Sequence, residues 1–157
     1  MQKINPFLWF DHEAEEAARF YTSIFPDSKI KNVSRYGADG PGVPGSVMTV
    51  AFQIHGQDFI ALNGGPQFQF TPAISFLVHC ETQEEVDTLW EKLLDGGAAE
   101  QCGWLRDRYG VSWQIVPTVL GAMLGDQDPE KAKRVAAAMF EMRKLDIAAL
   151  KRAYERA

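Results

Sequence analysis

Two kinds of metal- and redox-active residue are scarce in this sequence. There are two cysteines, Cys80 and Cys102, and three histidines, His12, His55 and His79. No CxxC pair and no Cys/His cluster at zinc spacing is present, which removes a local zinc or redox motif. The two thiols read as reduced core or cleft residues, with a redox pair or a nucleophile as the sharper alternative. None of the histidines has a second His or a carboxylate at regular ligand spacing, so no metal site is expected. Long apolar runs are missing too: none approaches the roughly 18 residues that a membrane span needs. The start, Met1-Gln2-Lys3-Ile4-Asn5-Pro6, has no signal-peptide apolar region, and a cytoplasmic protein is expected. An excess of positive charge is lacking. With 16 Lys+Arg against 21 Asp+Glu the net charge is −5, which disfavours a nucleic-acid partner.

What is present suits a folded domain. The 157 residues are 46% hydrophobic and include ten Phe, four Trp and four Tyr. That is too apolar for a disordered chain and enough for a core.

The chain repeats itself. Phe7-Leu8-Trp9-Phe10 sets beside Phe76-Leu77-Val78-His79 at an offset of 69. At that offset Glu15-Glu16 falls on Glu84-Glu85, Ala17 on Val86, Phe20-Tyr21 on Leu89-Trp90 and Phe25 on Leu94. Each copy is an apolar strand followed by an amphipathic helix. Ala14, Ala17, Ala18, Tyr21, Ile24 and Phe25 have 3-4 spacing before Pro26 stops the first helix. Thr82 and Glu85 make a capping box for the second, and Gly96-Gly97 ends it. Strands follow both: 28–36, 47–55 and 58–63 in one copy, and 98–103, 104–109 and 111–117 in the other. The expected fold class is α+β, one domain over residues 1–157. It is built of two β-α-β-β-β modules, about 3–64 and about 73–117, with a two-helix C-terminal extension from about 128 to 157. Asp128-Pro129 and Asp146 are the expected starts of the two helices, with Leu145 stapled onto Leu150.

Charge divides along the same line. Residues 129–157 hold eight Lys/Arg and four Asp/Glu, a charge of +4, leaving −9 on the remainder. Basic helices docked on an acidic body through charge, within the chain or across a dimer, are therefore expected.

Candidate chemistry gathers in the second module. The Gly/Pro loop 37–45 is rich in glycine, but it leads into a strand rather than a helix, so it is no phosphate cradle. The segment from Cys102 to Pro117 packs a thiol, an indole, a guanidinium, a carboxylate and a carboxamide into one hairpin. Alternation sets Ser112, Gln114 and Val116 on one face and Trp113 and Ile115 on the core face. Asp107-Arg108-Tyr109-Gly110 reads as its turn. His79, at a strand end, is either a solvent-edge residue or an acid-base group.

Six stretches then carry a resemblance. They are Pro6-Phe-Leu-Trp-Phe-Asp11, Glu16-Ala-Ala-Arg-Phe-Tyr-Thr-Ser-Ile-Phe-Pro26, Phe59-Ile-Ala-Leu-Asn-Gly-Gly65, Cys102-Gly-Trp104, Gly110-Val-Ser-Trp-Gln-Ile-Val-Pro117 and Met142-Arg-Lys-Leu-Asp-Ile-Ala-Ala-Leu150. The chain resembles the PhnB-like branch of the vicinal oxygen chelate superfamily, which includes glyoxalase I, bleomycin-resistance proteins and extradiol dioxygenases. The branch is often labelled 3-demethylubiquinone-9 3-methyltransferase. The resemblance implies two modules forming a U-shaped β cleft, a small-molecule ligand and a homodimer. Metal enzymes of the superfamily place His or Glu on the first and fourth strands of each module. Those positions map onto Pro6, Ala61, Ser75 and Gln114, so no metal and no other cofactor is expected. Nor is there the glycine-rich strand-to-helix turn that commonly binds S-adenosylmethionine.

By strand parity the expected cleft is lined by Leu8, Phe10, Phe59, Ala61, Asn63, Ser75, Leu77, His79, Ser112, Gln114 and Val116, with Cys102 and Trp104 beside them. Asn63, Ser75, His79, Trp104 and Gln114 are the expected ligand-binding residues, suited to a flat or aromatic molecule. His79 and Cys102 are the catalytic candidates. Three functions remain open: a metal-free binding protein; an enzyme, either a transferase as labelled or an isomerase/lyase using His79 or Cys102; and a structural dimer with a vestigial cleft.

Overall fold

A computed structural model describes residues 2–156. The chain divides into two compact units, Met1–Phe70 and Thr71–Ala157.

The first unit contains β1 (Phe7–Phe10), α1 (Ala14–Ile24), β2 (Lys29–Arg35), β3 (Val47–Ile54) and β4 (Gln57–Asn63). Its sheet has the order β1-β4-β3-β2. β1 runs parallel to β4 and the other pairs are antiparallel. Alternation along β3 buries Val50, Phe52 and Ile54. Ala14, Ala17 and Ala18 are small enough to let α1 lie close to the sheet, and all three are fully buried. Tyr21 stacks on Phe52, and Phe52 on Phe59. No side chain within α1 caps its start; instead Asn63, at the end of β4, accepts the Ala14 N–H at 2.8 Å.

The second unit repeats this plan with β5 (Ser75–Cys80), α2 (Gln83–Leu94), β6 (Ala98–Ala99), β7 (Trp104–Arg106) and β8 (Ser112–Pro117), in the order β5-β8-β7-β6. Val86, Leu89, Trp90 and Leu93 of α2 are buried, as are Leu105, Trp113 and Ile115 of the sheet. The capping box holds in part: Thr82 Oγ1 accepts from Glu85 N–H. Asp107 organises the β7–β8 turn as expected. Its carboxylate accepts from the Tyr109 and Val111 N–H groups and from Trp113 Nε1.

Three sequence expectations need correction. The repeat is not in one register. The helices keep the 69-residue offset, but Phe10 and Cys80, the last residues of β1 and β5, are 70 apart. Three residues join β1 to α1 and only two join β5 to α2. That extra residue reverses strand parity in the first unit. Leu8, Phe10, Phe59 and Ala61 therefore point to the α1-covered core rather than to an open cleft, and all are buried. Phe7, Trp9, Ile60 and Leu62 occupy the other face.

Second, β6 and β7 are shorter than expected. Cys102 (φ 58) and Gly103 (φ 85) take left-handed conformations that break the ladder. Their N–H groups donate to the carbonyls of Met142 and Arg143, at 2.8 and 2.7 Å.

Third, the extension has three helices: α3 (Thr118–Leu124), α4 (Pro129–Phe140) and α5 (Ile147–Glu155). Asp128 and Asp146 cap α4 and α5 as expected. Leu120, Met123, Val135, Leu145 and Leu150 form their common core. Each fully buried leucine contributes about 1.5–3 kcal/mol. The Lys144–Asp87 ion pair, which joins the tail to α2, is half exposed and contributes about 0–1 kcal/mol. Apolar packing, not net charge, holds the tail. No helix among the described residues is long and apolar enough to cross a membrane.

Candidate functional site

A cavity of about 540 Å³ opens in the second unit. One wall is the sheet face turned away from α2. Alternation that sends Phe76, Trp113 and Ile115 to the core leaves Leu77 and His79 of β5, Trp104 of β7, and Gln114 and Val116 of β8 on this side. Register sets Leu77 opposite Gln114, His79 opposite Val116, and Trp104 opposite Gln114 from the other flank. Gln101 and Cys102 of the stitched turn complete this side. The opposite wall is helical: Leu120, Gly121 and Leu124 from α3, with Met139 and Phe140 from α4.

Polar groups are few and convergent. Gln114 Nε2 donates to Ser75 Oγ at 2.9 Å, which uses one of the two N–H donors of that amide. Trp104, His79 and Cys102 lie along the same wall. No Lys, Arg, Asp or Glu is among the lining residues. The other cysteine, Cys80, faces the core and is fully buried. Burial, with Glu85 and Glu81 adding to it, pushes its thiol up to about 12, so it stays protonated and unreactive.

Of the expected ligand-binding residues, His79, Trp104 and Gln114 line this cavity, and Ser75 bonds to Gln114 beside it. Asn63 belongs to the first unit. Its side chain accepts from Ala14 N–H and donates to Val47 C=O, while its own carbonyl accepts from Tyr36. Those bonds give it a structural role at the head of α1. Sequence reasoning left open whether the C-terminal helices cover the cleft or join a dimer interface, and it did not foresee α3. Its trace was the 3-4 spacing of Leu120, Met123 and Leu124, interrupted by glycines at 121 and 125.

The first unit has its own crevice of about 710 Å³, lined by Asp11, His12, Glu15, Glu16, Tyr36 and the Gly/Pro loop among others. Here the reading of the histidines is corrected. The ligand atoms of Asp11, His12 and Glu13, which span the β1–α1 loop, lie within 4.8 Å of one another. Asp11 and His12 are exposed and Glu13 is partly buried, with His12 Nδ1 3.1 Å from Glu13.

The family described as 3-demethylubiquinone-9 3-methyltransferase matches residues 2–116. The chain belongs to that family. A PhnB protein from Bacillus cereus, whose description names the same family, is 44% identical; the match covers 74% of this chain and 100% of that one, with a TM-score of 0.69. A protein from Pseudomonas aeruginosa is 19% identical over 74% of this chain and 98% of its own, with a TM-score of 0.62. A mutant of the fosfomycin resistance protein FosX from Listeria monocytogenes, complexed with Mn(II) and 1S,2S-dihydroxypropylphosphonic acid, is 15% identical over 74% and 93%, with a TM-score of 0.53. At that identity it shares the fold. No curated protein matches the chain significantly. The family region ends one residue before the last residue of β8, so the sheet wall of the cavity lies almost wholly within it and the helical wall lies beyond.

Proposed function

We propose that this family member binds a neutral, largely apolar small molecule, aromatic in character, in the cavity of the second unit. One observation carries the reading: about 540 Å³ of space lined mainly by apolar side chains, with His79, Gln101, Gln114 and Thr118 as its polar ones and no charged lining residue. The size suits a small-molecule site. Trp104 offers a face for stacking. An anionic ligand would find no Lys or Arg there, and the amino group and sulfonium of S-adenosylmethionine would find no carboxylate.

The binding is read as metal-free. In the second unit the superfamily's ligand positions fall on Ser75 and Gln114, neither of which offers a charged donor; in the first, the corrected parity buries Ala61 beneath α1 at 0% exposure and turns the apolar Ile60 to the other face. Ser75 and Gln114 are bonded to each other. That donor set does not suit a divalent ion. A homodimer, which the superfamily resemblance implies, completes the reading.

The placement of both His79 and Cys102 on the cavity wall favours a second reading, an isomerase or lyase in which one of them moves a proton or attacks the ligand. A thermal-shift screen of neutral aromatic and quinone compounds tests the main reading, because a ligand of the folded state raises the melting temperature by mass action. Stabilisation by neutral aromatics, absent for S-adenosylmethionine and for phosphonates, is the expected outcome. A saturable micromolar isotherm with S-adenosylmethionine would turn the assignment to the transferase. One stoichiometric Zn, Ni or Fe per chain would end the metal-free reading, and a monomer mass by light scattering would end the dimer.

A further inference from the structure

Glycine in the middle of a helix needs a reason, because it is a poor helix former. Three structural reasons are usual: a left-handed backbone, a neighbour too close for a side chain, or a C-terminal cap. Gly103 shows the first two, with φ at +85 and a Cβ that would meet Leu145 at 2.9 Å. Gly97 shows the second, since its Cβ would lie 2.1 Å from the Arg106 carbonyl. Gly125 is the cap of α3.

Gly121 has none of these. It sits inside α3 with no left-handed φ, and a Cβ built on it would meet nothing within 4 Å. It also lines the cavity. Gly121 is exposed at the cavity's edge, so a side chain there would meet open space rather than a packed neighbour. The neighbours on this wall are large and apolar, and two of them are exposed: Leu124 at 37% and Phe140 at 65%. Around one vacant position, α3 and α4 thus present apolar surface that nothing else among the described residues covers.

We propose that α3 and α4, which lie beyond the family region, set the ligand specificity of the cavity, with Gly121 keeping open the room for the ligand's apolar bulk and Leu124 and Phe140 gripping it. The class of ligand this wall accepts is a neutral aromatic molecule of more than one ring. It stacks on Trp104, directs its polar edge to Gln114 and projects its far ring toward Gly121. The inference rests on the reading of the cavity given above, and the experiment separates the two.

The probe is N-phenyl-1-naphthylamine, which is neutral, carries fused rings and fluoresces when removed from water. It is titrated into the full chain and into the variants Gly121→Leu, Gly121→Ala, Phe140→Ala and Trp104→Ala, each checked for a cooperative melt. Gly121→Leu is expected to melt at or above the parent temperature, since it replaces a poor helix former in open space. It is also expected to weaken the probe by at least about tenfold, in the range that added side-chain bulk costs in an apolar pocket. A variant that gains thermal stability while losing ligand cannot be explained by damage to the fold. Phe140→Ala is expected to weaken binding with little change in melting, as its side chain is mostly exposed. Where Gly121→Leu loses its cooperative melt, Gly121→Ala decides by the same readout. Full affinity in the Gly121 and Phe140 variants together with loss in Trp104→Ala would overturn the role of the helical wall and leave the cavity reading standing. No binding by the parent chain, or no loss in Trp104→Ala, would overturn both.

Discussion

One side-chain amide in α2 brackets the entry to α5. Gln83 Oε1 accepts the Ile147 N–H at 2.7 Å, and its Nε2 donates to the Leu145 carbonyl at 3.1 Å. The same Nε2 donates to Asp87, which also pairs with Lys144. The segment that carries α5 is thus tied to the helix of its own module by bonds between residues more than 60 apart.

Replacing Gln83 with Ala should destabilise the protein by about 1–3 kcal/mol, because two backbone groups lose their partner. Urea unfolding would show it as a lower midpoint. If the helical wall depends on this anchor, probe affinity should fall as well.

Salt should do little. The tail is held by buried leucines and backbone hydrogen bonds, and a half-exposed Lys144–Asp87 pair adds little to them. The melting temperature should be nearly the same in low salt and in molar sodium chloride. A steep fall with salt would restore the electrostatic account of tail docking.

Ser112 is 1% exposed, and its hydroxyl has no hydrogen-bond partner among the described residues. Leaving a polar group buried and unpaired is unfavourable. Ser112→Ala should therefore keep or raise stability, by about 1 kcal/mol at most. A loss above that amount would reveal a bond that the hydroxyl makes.

Tyr154 donates to Asp126 at 2.6 Å, and the two shift each other in opposite directions. The bond from Tyr154, with that from the Asp128 N–H, holds the Asp126 carboxyl below its ordinary 3.8. Its contribution is present above that value and is lost as pH falls through the lowered one. The same bond raises Tyr154 above its ordinary 10.0. That contribution is present below 10.0 and is lost as pH rises through the raised value. Tyr154→Phe should flatten both ends of the stability profile, measured by thermal melts across pH. An unchanged profile would show that the pair does not matter to folding.

The two thiols should separate cleanly. At pH 8 a disulfide reagent should label the half-buried Cys102 in the native protein and spare Cys80, whose thiol burial pushes up to about 12. Occupancy of the cavity by the probe should slow labelling of Cys102. Two fast thiols, or none, would contradict the placement.

The fold class and the module plan were legible because periodicity and punctuation agree. The 3-4 spacing of α1, the Thr82 cap of α2 and the Asp128 and Asp146 starts of α4 and α5 all lie where the residues indicate. Parity in the second module was legible too, since Trp113 and Ile115 alternate strictly with Gln114 and Val116. Parity in the first module was not. An ungapped repeat looks the same to the eye whether its loops have two residues or three, yet a single residue turns every strand side chain over.

Asn63 makes the same point for function. A polar residue ending an apolar strand reads as a ligand contact; the packing adds that it accepts from the head of a helix 49 positions away while also bordering the first unit's crevice.

The sequence by itself determined most of the helices, the duplicated plan and the family, because periodicity, caps and recurring motifs are written directly in the order of residues. The tertiary structure alone decided what surrounds the cavity. His79, Trp104, Gln114, Gly121 and Phe140 come from five separate elements. Their meeting depends on hydrogen bonds such as Cys102 to Met142 and on leucines buried between helices. Those long-range contacts follow from packing the whole unit, and no local pattern encodes them.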